Sequence, residues 1–259
     1  MGYSAFVMAG SSSKDLDDPL LIKAGVTNKA LINLNNKPVI EYLLQAMDEA
    51  KSIDRILVIG LDQTDIQFKG KKTIEFIKIT GDRVETVFTA MNYFAETQDD
   101  QDMIIQFTSD TPFFTGEIID HCIEKMDITS NKDVYYGLIT KEIFDKRFPN
   151  AHRSFRKLKE GIFAGADMNC FRIRTVLDNK EATRIFLENK KSLVKTIISF
   201  SPLFIVKYAL GRLSINDIIK FFKVKFKSDV SPYFPQYAEA GMDLDYPEQI
   251  EAFEKDLNL

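Results

Sequence analysis

An α/β fold on a mainly parallel sheet is what this sequence predicts, and three observations carry the prediction. Short apolar runs of strand length alternate with amphipathic stretches of helix length through the first half. The apolar runs end in small or polar turn residues, as in Ala9-Gly10-Ser11 and Thr108-Ser109-Asp110. No internal repeat, low-complexity tract or linker interrupts the pattern. Strands separated by helices of about 10–15 residues imply βαβ units and therefore parallel pairing.

The elements follow in order. Residues 5–9 (AFVMA) read as a buried strand. After a polar loop, Lys29 enters a second apolar run, the turn Asn35-Asn36-Lys37-Pro38 follows, and a helix is expected over 39–50. RILVIG at 55–60 is the next strand. Residues 73–79 alternate polar and apolar side chains, the strand period, and Gly81-Asp82 closes them. Over 83–94, Val84, Val87, Phe88 and Met91 share one helical face. Strands at 103–107 and 134–139 flank a helix at 117–126. The second half is less regular: 148–169 mixes loop and strand and carries His152, Arg153, Arg156, Lys157 and Lys159, and 172–259 reads as mostly helical.

Composition narrows the function. The chain has 259 residues, 45% of them apolar and 21 of them Phe, which is ample for a substantial core. A net charge of −4 argues against a general nucleic-acid binder. Cys122 and Cys170 are too few for a disulfide framework and lack metal-site spacing, so a reducing compartment is expected. The N-terminus has no basic region ahead of a long apolar run, as a signal peptide would. The longest uncharged apolar stretch, 196–206, is bounded by Lys195 and Lys207 and contains Pro202, well short of the ~20 residues of a membrane span. The expectation is a soluble, cytoplasmic protein.

Four places could carry chemistry. A strand that empties into the Gly/Ser turn Ala9-Gly10-Ser11-Ser12-Ser13 presents backbone N–H groups suited to phosphate oxygens, and Lys14 and Lys29 add positive charge nearby. Asp110 ends an apolar strand, on the edge where open α/β sheets bind ligands. Its competing role is to cap the following helix, but Thr115 is better spaced for that and frees Asp110. Asp243 and Asp245 stand two apart, so in a strand they share a face, where they would repel without a cation; Tyr246-Pro247-Glu248 then starts a helix. Finally, 190–227 holds nine Lys/Arg against the single Asp217, together with Phe200, Phe204, Ile205, Tyr208, Ile218, Phe221 and Phe222. That segment reads first as a lid or oligomer interface and second as a cationic face lying on a membrane. His121 is given no role.

The order of these features resembles the MobA-like nucleotidyltransferases. The opening AFVMAGSSS…NKALINLNNKPVIEYLLQAM is similar to their strand, AGG-type loop, Lys-(Ala)-Leu-Leu/Ile-Pro-Leu run, Gly-Lys-Pro turn and helix. This chain has one glycine in the loop where the family usually has two or more, and Lys14 where it has arginine. Ser109-Asp110-Thr111-Pro112 is similar to the family's Ser/Gly-Asp-x-Pro motif, and Asp243-Leu244-Asp245-Tyr246-Pro247-Glu248 to its closing Asp-Val/Ile-Asp-Thr-Pro-Glu. The segment from Arg153 to Asp167 looks like an acceptor-binding block of related bacterial enzymes, with Gly165-Ala166-Asp167 where Gly-Gly-Asn is usual.

The resemblance implies a single Rossmann-like (GT-A) nucleotidyltransferase domain over 1–259, with a helical insertion at about 175–228. It implies transfer of NMP from an NTP to a phosphorylated small-molecule acceptor, with release of pyrophosphate. Asp110 and Asp245 would hold Mg²⁺, with Asp243 beside them. Lys14 and the amides of Ala9, Gly10, Ser11, Ser12 and Ser13 would hold the β- and γ-phosphates, and Lys29 the charge on the α-phosphate. Gly81 and Asp82 would lie near base and ribose, and Arg153, Gly165 and Asp167 would face the acceptor. Nucleic acid is not an expected partner; a homodimer and a peripheral membrane contact through 190–227 are. Two other classes stay open: a GT-A glycosyltransferase using a nucleotide sugar, and a non-catalytic nucleotide-binding descendant, which the glycine-poor loop favours.

Overall fold

The computed structural model describes residues 2–10, 17–79, 81–188 and 202–258. At its centre is β1 (Tyr3–Met8), whose Ala5, Phe6 and Val7 have no exposed surface. A strand apolar on both faces belongs inside a parallel sheet covered by helices on each side. Parallel partners flank it: β4 (Ile53–Ile59) on one edge and β6 (Met103–Thr108) on the other, with β5 (Thr73–Ile77) beyond β4. Between them the chain forms α1 (Pro19–Ala24), the two-strand ribbon of β2 (Asn33–Leu34) and β3 (Lys37–Pro38), and α2 (Val39–Glu49). Asn35 and Asn36, both at positive φ (50° and 63°), make the two-residue turn of that ribbon.

After β5 come α3 (Arg83–Thr97), then β6, α4 (Gly116–Met126), β7 (Val134–Thr140) and α5 (Lys141–Arg147). Thr115 caps α4 by accepting from the Ile118 N–H, so Asp110 is indeed spared that task. A hairpin of β8 (Arg156–Leu158) and the long β9 (Gly161–Arg172) follows. β9 runs antiparallel between β6 and β7, which gives the order β10-β7-β9-β6-β1-β4-β5. Beyond β9 lie α6 (Ile173–Asp178), α7 (Lys180–Glu188), α8 (Pro202–Ala209), α9 (Ile215–Phe226), β10 (Val230–Tyr233) and α10 (Gln249–Asp256).

Two layers of core result. Leu43, Leu44 and Met47 of α2 and Ile119 and Cys122 of α4 pack with Ala5 and Val7 on one face. Val87, Met91 and Phe94 of α3 and Ile173 of α6 pack with Phe6, Leu57 and Ile104 on the other. Both cysteines are buried and free, and burial pushes the Cys122 thiol up to about 12.

Among the described residues the C-terminal third is mostly helical, as expected, and it also supplies β10, an outer strand parallel to β7. Val-Ser-Pro-Tyr is short and contains Pro232, which is tolerated only where one side of the strand is unpaired. The aromatic residues of α9 divide in favour of a structural role: Phe221 and Phe222 pack toward Leu158, Phe163 and Leu213. On α8, Leu203, Ile205, Val206 and Leu210 remain exposed. The rest of the 190–227 segment, residues 190–201, lies outside the described residues. Among the described residues no helix is long and apolar enough to cross a membrane.

Gly60 ends β4 at φ +109°, with its N–H on the Ile77 carbonyl and its Cα against the backbone of Ala9 and Gly10. Gly60→Ala would place a Cβ inside contact distance of the Gly10 backbone. It is expected to cost about 1–3 kcal/mol of stability, the range for a strained φ. Urea unfolding measures this, and an unchanged midpoint would show that the strand-end loops tolerate separation.

Candidate active site

The parallel strands β1, β4, β5 and β6 all point their carboxyl ends at one edge, and the candidate residues collect there. Asp110 follows β6 directly. The segment before α10 is stitched to it by the Leu244 N–H donating to the Asp110 carbonyl at 2.9 Å. This places Asp243 and Asp245 beside Asp110, and each of the three offers a carboxylate oxygen lying within 4.8 Å of the other two. All three are half-buried. The expected strand at 243–245 does not form: the segment is irregular, with its Leu244 N–H on the Asp110 carbonyl and its Asp245 N–H on a side chain. Gln249 Oε1 accepts from the N–H groups of Asp245 and Tyr246, both at 2.8 Å. The helix accordingly starts at Gln249, two residues beyond Pro247.

Three close carboxylates need positive charge, and two cations supply it. Arg153 donates through Nη1 to Asp243 at 2.5 Å, and through Nη2 to the Asp167 carboxylate at 2.9 Å and the Gly165 carbonyl at 2.6 Å. Burial pulls this guanidinium down, but Asp167 and Asp243 reverse that and hold it above its ordinary value. Lys29 reaches Asp245 at 2.7 Å and Asp18 at 3.7 Å. Burial again lowers it, and Asp245, Asp110 and Asp18 together raise it further. Even with Arg153 in place, burial pushes Asp243 up to about 7, with Asp167, Asp245 and Asp110 adding to the rise. A divalent cation fits such a donor set. Mg²⁺ binds oxygen at about 2.0–2.1 Å and typically takes one or two carboxylates, leaving its other positions to phosphate oxygens and water.

The remaining expected residues are placed as follows. Ala9 is fully buried and its N–H donates to the Ile59 carbonyl at 2.8 Å, so that amide belongs to the sheet and is not offered to phosphate. Gly10 is exposed and lies against Gly81 and Thr86, which brings the turn after β1 to the loop before α3. Asp82 caps α3, accepting from the N–H groups of Val84 and Glu85 while Glu85 answers its own N–H. That occupies the carboxylate expected near the ribose. Arg153 was expected to face an acceptor, and its guanidinium is closed instead on Asp167 and Asp243. Gly165 leaves room for the Tyr136 hydroxyl, which a Cβ there would strike. Ser11, Ser12, Ser13 and Lys14 lie outside the described residues.

Sequence reading missed three supporting residues. Asn28 is buried, donates to the Ala9 carbonyl at 2.7 Å and accepts from the Ala30 N–H at 2.9 Å, so it fixes where Lys29 leaves the chain. Asp18 caps α1 and also approaches Lys29, so an acidic residue of the first loop helps to aim a cation. Gln249, three residues after Tyr246, has the spacing of a capping box and was legible on that ground.

A parallel sheet with a polar crevice at its strand ends is shared by many nucleotide-handling proteins, and comparison with known proteins defines this one as a nucleotidyltransferase. Residues 24–158, more than half of the chain, match the family model for cytidylyltransferases, and the chain belongs to that family. Members of this class transfer a nucleotidyl group and release pyrophosphate. The resemblance to MobA-like enzymes holds at the level of that broader class. A hypothetical transferase from Thermus thermophilus superposes with a TM-score of 0.77 at 21% identity, covering 96% of this chain and all (100%) of its own. The 4-diphosphocytidyl-2C-methyl-D-erythritol synthase of Anaerococcus prevotii gives 0.58 at 13% identity, with 100% and 96% covered. Among curated proteins, the uncharacterized protein MJ1063 of Methanocaldococcus jannaschii is 22% identical over 196 residues, which is 63% of this chain and 77% of that protein.

Arg153→Met would leave Asp167, 2% exposed, and Asp243 without their shared cation. Removing one partner of a buried ion pair typically costs about 3–5 kcal/mol. Chemical denaturation of the variant is expected to show a loss of that size, and one below about 1 kcal/mol would mean the pair does not hold the 243–245 segment.

Proposed function

We propose that this enzyme transfers CMP from CTP to a phosphorylated small molecule, with Mg²⁺ held by Asp110 and Asp245 and supported by Asp243. The observation that carries the proposal is the meeting of three carboxylate oxygens within 4.8 Å beside Lys29. The cytidylyltransferase match and the diphosphocytidyl product named for the Anaerococcus neighbour support cytosine as the base. The closing Asp-Leu-Asp and the strand-end Asp110 support a MobA-like arrangement of the metal ligands.

An acceptor phosphate has its second pKa near 6, so at neutral pH it is mostly dianionic and needs no base to activate it. Its oxygen attacks the α-phosphorus, a new P–O bond forms, and the bond from the α-phosphorus to the α–β bridging oxygen breaks. Pyrophosphate departs with that electron pair. Asp110 and Asp245 would hold Mg²⁺, which would supply charge neutralisation at the phosphates. Lys29, held over Asp245 and kept charged, is placed to face negative charge building on the α-phosphate. Positioning and charge neutralisation together carry such a reaction. Lys14 and the serine amides are expected to hold the departing pyrophosphate. The whole chain is taken to act as one domain, with a helical insertion at about 175–228.

Thermal shifts with CTP, UTP, ATP and GTP, each with and without Mg²⁺, test the donor. Saturation at 100 times Kd adds about 2.7 kcal/mol, or roughly 5–10 °C for a chain of this size. The expected result is a Mg²⁺-dependent shift with CTP alone. Asp110→Asn and Asp245→Asn should abolish the Mg²⁺ dependence, and Lys29→Met should lower turnover by about 10²–10³-fold, the cost of removing one transition-state charge partner. A shift with a nucleotide sugar instead, insensitive to Lys29→Met, would transfer the site to glycosyl transfer. Binding without pyrophosphate release would leave a nucleotide sensor.

A further inference from the structure

A cavity of about 370 Å³ shares its wall with the candidate active site, since Asp167, Asp243 and Asp245 line it. It runs from there along the sheet face formed by β6, β9, β7 and β10, and strand register orders its lining into rows. Asp167 leads to Asn169 and then Phe171 along β9, side chains two apart and so on one face. Asn169 pairs with Gln106 on one side and Tyr136 on the other, which makes a polar middle row. Phe171 pairs with Val134, which pairs with Val230, and this row is apolar. The opposite wall is mixed: Val87 of α3, Val176 of α6, and Ile218, Ile219 and Phe222 of α9 are apolar, while Arg83, Thr175, Asn179 and Thr183 add polar groups. Along the sheet face itself, polarity falls from Asp167 to Phe171.

The middle row carries an unanswered donor. Gln106 is buried, and its Oε1 accepts from Asn169 Nδ2 at 3.1 Å. Its Nε2 is enclosed and has no hydrogen-bond partner among the described residues, while the residue lines the cavity. A buried amide N–H left unanswered is costly, and with almost no surface open to the cavity this one stays closed to a ligand oxygen.

We infer that the acceptor is an amphiphile: a phosphate monoester with a hydrocarbon chain behind it. The phosphate sits at the carboxylates, and the chain lies between Val134 and Phe171 on the sheet and Ile219 and Phe222 on α9. This rests on the nucleotidyl-transfer reading above and narrows its acceptor. A sugar phosphate fits poorly, because its outer hydroxyls would face the apolar rows unpaired. A hydrocarbon chain of matching length leaves no such group and gains from every methylene it buries.

Calorimetric titration of the full chain with Mg²⁺ and monoalkyl phosphates from butyl to octyl, below their micelle concentrations, tests this. Each buried methylene should tighten binding roughly threefold to fourfold, so octyl phosphate should bind about 10²-fold tighter than butyl phosphate. Ile219→Trp, on a helix packed over the sheet, should remove most of that gain by filling the tail end while leaving butyl phosphate unaffected. Val134→Trp does the same from the strand side, so misfolding of one variant leaves the other to decide. Equal affinity for butyl and octyl phosphate would overturn the inference, as would a chain-length gain that survives in a folded Trp variant. The CTP thermal shift on the same preparation separates the two readings. If it persists while chain length has no effect, only the amphiphile falls; if chain length matters but CTP gives no shift, nucleotidyl transfer falls.

Discussion

The charge balance around Arg153 is what allows the strand-end crevice to exist in its present form. Asp167 is almost wholly buried and Asp243 largely so, and both rest on one guanidinium whose other contact is the Gly165 carbonyl. Three elements that are far apart in sequence are thereby tied at a single point: the loop before β8, the middle of β9, and the irregular segment before α10. Without that cation the carboxylates at 243 and 245 would have no reason to lie against Asp110. Arg153 and Lys29 divide the work, one holding Asp243 from below the site and the other meeting Asp245 at its rim. A residue that motif comparison assigns to the acceptor thus acts first on the architecture of the carboxylate cluster.

Much of the sheet was legible because its signals are local. Runs such as AFVMA and RILVIG are apolar on both faces, and only a covered parallel strand uses such a run. Asp110 was legible for the same reason, since a carboxylate just past a buried strand has one edge to occupy. Asp243 and Asp245 were legible as a pair but not in conformation. Alternation suggested a strand, and the decisive contacts were with Gln249 and the Asp110 carbonyl, which no local pattern reveals. Ala9 shows the converse error. Its place in a loop motif suggested a phosphate-binding amide, yet the sheet extends one bond further and takes that N–H. The pairing of β9 against both β6 and β7 depends on contacts from 23 residues apart (Thr140 with Phe163) to 69 (Met103 with Arg172), and so does the cavity it lines.

The reversed strand also explains how one crevice can serve two chemistries. In a wholly parallel sheet every strand delivers its polar end residues to the same edge. β9 enters from that edge and runs away from it, so its sequence is read from polar to apolar with depth: Asp167, Asn169, Phe171. The neighbouring strands are crossed in register, and their side chains fall into matching rows. α9 then closes the face, using the aromatic residues that made 190–227 conspicuous in the sequence. A helix that packs its apolar side onto the sheet makes the wall of a cavity suited to a hydrocarbon chain.

Lys29 links the site's resting geometry to the proposed reaction. In this structure its ammonium lies on Asp245, one of the carboxylates assigned to the metal. A metal ion and a nucleotide arriving together would give both groups better partners: the carboxylate a divalent cation, and the lysine a phosphate oxygen. Either ligand alone would leave one of them worse off, since the metal would face an ammonium and the nucleotide an uncompensated carboxylate. Metal and nucleotide should therefore bind with positive coupling, each tightening the other by the same factor as linkage requires. Asp18, already near the lysine, limits how far Lys29 must travel when its partner changes.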